Sequence, residues 1–216
     1  MRQDLLVNNE IYHILNKSIA GYTIFNNDIE FSRMLNIIQY YLIENPSVCY
    51  SRFIKLSQQD QELILLDNYN RKKIVQIIAY CLMPTHFHLI LQQLISNGIS
   101  KYIANISNGY ARYFNVRHKR QGPLWQGKFK NVLVKDDEQL LHLTRYIHLN
   151  PTTASIVSDP IDWQYSSYKE YLEPNRNNLC NYHDILDIKP GVYKRFVLSQ
   201  KDYQKKLSII KKHLLY

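Results

Sequence analysis

His86 and His88 flank Phe87 inside the string Met83-Pro-Thr-His-Phe-His-Leu-Ile90. In an extended strand alternate side chains share a face, so both imidazoles point one way while Phe87, Leu89 and Leu91 point the other way, into a core. Two imidazoles on one strand face are half of a metal site, able to hold a divalent cation against a substrate oxygen. The pair alone equally suits a half-buried sheet on which both rings are merely hydrogen-bonded. A second segment, Asp136-Asp-Glu-Gln-Leu-Leu-His-Leu-Thr-Arg-Tyr-Ile-His-Leu-Asn-Pro151, adds a different chemistry. Its acidic start suits a helix N-terminus, and Pro151 predicts that the helix ends near Asn150. Leu140, Leu143 and Ile147 form the buried stripe of that helix. On an adjoining face His142, Tyr146 and Asn150 follow one another at successive four-residue steps. A phenol beside a possible metal ligand is a candidate nucleophile, although Tyr146 is one of 18 tyrosines, most of which must serve packing.

Three ordered strings tie these residues to a known family. Tyr80-Cys-Leu-Met-Pro-Thr-His-Phe-His-Leu89, Gly122-Pro-Leu-Trp-Gln-Gly-Lys-Phe-Lys130 and Arg145-Tyr-Ile-His-Leu-Asn-Pro151 resemble the single-tyrosine HUH transposases, and within them the REP-associated tyrosine transposases. The likeness spans roughly residues 9–172 and closes on Trp163-Gln-Tyr-Ser-Ser-Tyr168. It implies His86 and His88 as ligands of Mg²⁺ or Mn²⁺, Asn150 as third ligand or orienting group, and Tyr146 as the nucleophile that attacks a DNA phosphate. Many relatives carry Gln where this chain has Asn150, and the shorter stem reaches less far. It further implies cleavage and rejoining of single-stranded, hairpin-forming repeat DNA through a 5′-phosphotyrosine. A phenol of ordinary pKa about 10 is a poor nucleophile at neutral pH, which is why a cation at the phosphate belongs in such a site. No Gly-x-x-x-x-Gly-Lys loop is present, in keeping with chemistry that conserves the phosphodiester's energy and needs no ATP.

The elements that must position these groups can be read in order. Residues 11–17 form a strand in which Tyr12, Ile14 and Asn16 alternate with Ile11, His13 and Leu15, and His13, which could face the site, is read as a packing residue. A helix runs from a cap at Asn27 or Asp28 to about Glu44. Residues 47–73 form a helical insertion, with a short helix at 59–66 and a polar loop at 68–73. Strands 74–82 and 85–92 then pair through the Met83-Pro84 turn and present the histidines. A helix over 100–117 carries Tyr102, Ile103, Ile106, Tyr110, Tyr113 and Phe114 inward. Its exit is basic, with Arg112, Arg117, Lys119 and Arg120 followed by Trp125, Lys128 and Lys130. Cations interleaved with aromatics suit single-stranded DNA, although such a run also suits a merely solvated face and Trp125 a core anchor. His142 and His148 are read as surface or packing residues.

These elements predict an α+β domain over 1–172, with an antiparallel sheet of ferredoxin-like or RRM-like HUH topology, helices on one face and the tyrosine helix across the histidine pair. Residues 173–216 form a C-terminal helical extension, whose residues 202–216 carry Leu207, Ile210 and Leu214 inward and lysines outward. Lys and Arg total 27 against 18 Asp and Glu, a net charge of +9 and a pI near 9.3, which favours a polyanionic partner. Cys49, Cys81 and Cys180 are widely spaced and odd in number, which predicts reduced thiols in the cytoplasm. There is no apolar leader and no run of about 18 apolar residues to span a membrane. The C-terminal region favours a monomer over a homodimer. Two other classes stay open: a nucleic-acid-binding module without cleavage, for which RNA is an alternative partner, and a structural Zn²⁺ site, which would need more N or S ligands than lie nearby.

Overall fold

The computed structural model describes residues 4–174 and 179–204. Strands β1 (Ile11–Lys17), β2 (Val75–Met83), β3 (His86–Gln93) and β4 (Lys130–Leu133) form one sheet in the order β2-β3-β1-β4, with every pairing antiparallel. Helix α1 (Asp28–Tyr40) connects β1 toward β2, and α4 (Gly98–Arg117) connects β3 toward β4. This is the βαββαβ order of a ferredoxin-like fold, as the sequence predicts.

The sheet has two covered faces. Tyr12 and Ile14 of β1, with Phe87, Leu89 and Leu91 of β3, are wholly buried on one of them. Helices α1 and α4 cover that face, and their tyrosines keep a polar handle there. The Tyr102 hydroxyl donates to the Ile38 carbonyl and that of Tyr110 to the Ile24 carbonyl. Register places His13, Leu15 and Lys17 of β1 with His88 and His86 of β3 on the opposite face. That second face is roofed by α5 (Asp137–Thr153), whose Leu140, Thr144, Ile147 and His148 are buried. A full cap starts α5: Asp136 accepts the Gln139 N–H, and the Gln139 side chain accepts that of Lys135.

Helix α5 corrects one expectation, because it runs through Pro151 to Thr153 rather than ending near Asn150. Proline forfeits one backbone bond but its fixed φ is helical, so the cost is bounded. Burial of Leu149, Pro151 and Thr152 offsets it, the Thr152 hydroxyl donates to the Leu149 carbonyl, and Ser155 at φ 57° ends the turn. In the other direction α1 stops at Tyr40, short of Glu44, because Ile43 pairs with Lys73 in an isolated bridge. Residues 47–73 hold α2 (Tyr50–Phe53) and α3 (Gln58–Tyr69), the latter longer than the sequence suggests.

The free edge of β2 is closed by the chain beyond α5. Leu82 donates to the Tyr165 carbonyl, Ser167 to that of Tyr80 and Asn181 to that of Ile77. Helices α6 (Tyr168–Leu172) and α7 (Pro190–Leu198) then bury Tyr171, Tyr182 and Tyr193 in the same core. Past α7 the Gln204 side chain donates to the Tyr146 carbonyl at 3.1 Å. From residue 205 onward the predicted terminal helix lies outside the described residues. All three cysteines are free, and no described helix is long and apolar enough to cross a membrane.

Candidate active site on the histidine face

Hairpin β2–β3 and helix α5 bring together what the sequence separates by some sixty residues. The Tyr146 ring stands edge-on to His88, with centroids 5.9 Å apart, and edge-on to His13 at 6.5 Å. His86 and His88 lie 5.1 Å apart, also edge-on. Most tyrosine rings in this chain are buried, several with the hydroxyl donating to a backbone carbonyl. Tyr146 is 43% exposed instead, and it stands beside the histidines. Its pKa is raised by partial burial, and the neighbouring Asn150 side chain offsets part of that rise by favouring the phenolate. The four groups His86, His88, Tyr146 and Asn150, predicted from two distant motifs, are therefore brought together on one face of the sheet.

The donor set suits a cation. Burial lowers the pKa of His86 to about 4 and that of His88 well below the ordinary value, so both rings are neutral at pH 7 and carry a lone pair. In each ring Nδ1 is engaged by a protein partner, His86 at 3.0 Å from the Thr85 hydroxyl and His88 at 2.8 Å from His13 Nε2. This is the pattern of ligating histidines, which use one nitrogen for the ion and fix the ring through the other. The Asn150 amide nitrogen completes no hydrogen bond among the described residues, but it lies close enough to the Tyr146 oxygen to favour the phenolate, which leaves the amide oxygen as the donor open to an ion. Among the described residues no three His, Cys, Asp or Glu side chains converge on one point. A cation here would take His86, His88 and the Asn150 amide oxygen, with water or phosphate oxygens completing its shell. The residues fit such an ion and do not fit an all-protein zinc cage.

His13 is the site residue that the sequence reading assigned to packing. It stacks on His88 at 5.1 Å with an 11° interplanar angle, and burial lowers its pKa to about 4. Lys17 was also passed over. It pairs in register with His86, and its charge helps to lower the pKa of both ligand candidates. By the same register Lys130 sits opposite Leu15 on this face.

The remaining predicted contacts divide. Trp125 donates its indole N–H to the Ser107 carbonyl and packs edge-on against Phe87, so it anchors the core on the side away from the tyrosine. Arg117 pairs with the buried Glu30 at 3.4 Å, and Arg120 donates to Asn115 and to the Pro123 carbonyl. These side chains hold the loop after α4. Arg112, Lys119, Lys128 and Lys130 are exposed and form no ion pair among the described residues.

The two other candidate histidines stand apart. His142 contacts Arg145 and Phe196 on the outside of α5. His148 is buried between the Tyr193 and Ser167 hydroxyls at 2.6 and 2.7 Å, and burial lowers its pKa to about 3. A histidine neutral in the fold but protonated when unfolded stabilises fully above pH 6.5, and that contribution falls as pH drops toward 3. Each such histidine contributes about 1.4 kcal/mol per pH unit at most. Denaturant titrations from pH 7 to pH 4 are therefore expected to show falling stability, with a shallower slope in His148→Gln.

The comparisons agree with this geometry. A model of the family described as "Transposase IS200 like" matches residues 47–150, which include both histidines, Tyr146 and Asn150. A Haemophilus influenzae protein described as a REP-associated tyrosine transposase is 29% identical over 105 residues, covering 43% of this chain. The matched region is 58% of that relative, so the chain spans just over half of its length. A solved structure of a REP-associated tyrosine transposase bound to a REP hairpin is similar in fold, with a TM-score of 0.57 at 13% identity, over 88% of this chain and 95% of that one. The family resemblance carried by the three motifs is borne out.

Proposed function

We propose that this chain, which resembles the IS200-like transposases in sequence and a REP-associated tyrosine transposase in fold, is a metal-dependent transposase that cuts and rejoins single-stranded DNA next to a hairpin. The observation that carries the reading is the exposed Tyr146 phenol standing over His88 across the sheet. The phenolic oxygen forms a bond to a DNA phosphorus, the bond from phosphorus to the 3′-oxygen breaks, and that oxygen takes up a proton. The products are a 5′-phosphotyrosine and a free 3′-hydroxyl, and attack by a 3′-hydroxyl in the reverse sense rejoins a strand. A divalent ion held by His86, His88 and Asn150 would polarise a non-bridging phosphate oxygen and offset charge as the bond forms. Asn150 also steadies the phenolate that the reaction requires.

The substrate class follows from surface chemistry together with the relatives. A hairpin is the ligand of the solved relative, and a net charge of +9 suits any nucleic acid. Lys17, paired with His86, and Lys130, paired with Leu15, lie on the same face of the sheet as the histidines, where a strand entering the site would run its phosphates. Lys17→Ala is expected to weaken binding of a short single strand several-fold and to reduce the slope of log K against log salt by about 0.7. Fluorescence anisotropy at four salt concentrations measures both, and an unchanged slope removes Lys17 from the DNA path.

The test of the reading is incubation of the full chain with end-labelled hairpin-bearing single strands and Mg²⁺ or Mn²⁺. A labelled band that survives boiling in detergent and disappears on protease treatment is the expected product. DNA binding without any such band, across substrates with varied sequence at the hairpin foot, would make the protein a binding module instead.

A further inference from the structure

Three imidazoles, not two, meet on the histidine face, and the third comes from a different strand. His13 Nε2 lies 2.8 Å from His88 Nδ1 with the rings stacked, while His88 itself is only 4% exposed. A neutral imidazole carries one N–H, so a contact of this length between two ring nitrogens is a hydrogen bond that can run in either of two directions. If His13 donates, His88 accepts on Nδ1 and carries its own proton on Nε2, which blocks that nitrogen as a ligand. If His88 donates from Nδ1, its Nε2 holds a free lone pair. His86 offers a parallel, since its Nδ1 is engaged by the Thr85 hydroxyl and its Nε2 is left for other work.

We propose that His13 is a positioning residue, which accepts the Nδ1 proton of His88 on its own Nε2 and so holds His88 in the one tautomer and ring orientation that presents Nε2 to a cation. The inference rests on the metal reading given above and adds to it the residue that selects the ligand atom. A role for His13 as a ligand in its own right fits less well, because its Nε2 is spent on His88 and the three rings do not converge on one point. Its edge-on contact with Tyr146 adds a second consequence: the side chain that fixes the metal ligand also walls the nucleophile, so both are set by one strand.

Isothermal titration of the full chain with MnCl₂ tests this without any DNA or turnover. Wild type, His13→Ala, His13→Gln and His86→Ala are compared. His13→Ala is expected to bind Mn²⁺ about 10- to 100-fold more weakly, and His13→Gln to recover most of that loss, because its amide oxygen can accept the same N–H. Should the alanine variant fail to fold, Gln against Leu at position 13 decides the point, since the two fill similar volume and Leu has no acceptor. Wild-type affinity in His13→Ala alongside lost affinity in His86→Ala would reduce His13 to packing and overturn the proposal while leaving the metal reading intact. A wild-type chain that does not bind Mn²⁺ would sink both. A third ligating nitrogen in pulsed electron paramagnetic resonance of the Mn²⁺ complex would make His13 a ligand and also overturn the positioning role.

Discussion

Tyr146→Phe is expected to abolish the covalent protein–DNA adduct and to slow strand cleavage by at least about 10³-fold, while binding of the same hairpin changes little. The substitution is clean because it removes one oxygen. The ring keeps its edge contacts to His88 and His13 and the hydroxyl gives up its contact with Asn150, so the stability cost is about 1 kcal/mol. Among the described residues the other exposed tyrosines are Tyr22, edge-on to Phe114, Tyr69 at the end of α3, and Tyr203, next to the Gln204 that donates to the Tyr146 carbonyl, so Tyr203→Phe is the control variant. The pH profile offers a second readout. Burial raises the Tyr146 pKa, so below that value the phenolate fraction grows tenfold per pH unit, and cleavage by the wild type should climb with pH through neutrality. Adduct formation persisting in the phenylalanine variant would mean that another residue is the nucleophile.

Much of this site was legible because strand and helix periods are local. Parity alone sends His86 and His88 to one face and Phe87 and Leu89 to the other, and a single helical turn places Tyr146 and Asn150 on one side of α5. The same parity separates His13 from Tyr12 and Ile14. What it lacks is the knowledge that β1 inserts beside β3 rather than β2, with a register that brings His13 against His88. Strand order is a property of the whole chain, so a histidine that matters only through a neighbour sixty or more residues away reads as packing. Lys17 was missed for the same reason, since its value lies in pairing across from His86. Charge runs fail differently. Arg117 and Arg120 look alike in sequence to Lys119, but the buried Glu30, the Asn115 side chain and the Pro123 carbonyl claim them, and no spacing rule announces such partners. Pro151 gave a stop signal that burial overrode.

Loss of the ion should be as damaging as loss of the tyrosine, and the two effects can be separated. Chelation, or His86→Ala, is expected to cut cleavage by at least about 100-fold, with Asn150→Ala costing about tenfold. The amide supplies the weakest of the three donors and the one on the shortest reach. His86 is the better variant, because His88 is nearly fully buried and its removal would leave a cavity and strand His13 without a partner. Stability tells a catalytic ion from a structural one. The core of this protein is built from tyrosines, phenylalanines and aliphatic side chains on both faces of the sheet, and the histidine cluster sits at one rim of it. An ion bound there raises stability only by mass action, about 2.7 kcal/mol at one hundred times its Kd. Excess Mn²⁺ should therefore raise the wild-type melting temperature by about 5–10 °C and leave that of His86→Ala unmoved, while chelator leaves both chains folded. Unfolding on chelation would instead assign the histidines a structural metal, and cleavage that survives chelation would leave Tyr146 acting on a phosphate whose charge Lys17 and its neighbours alone must offset.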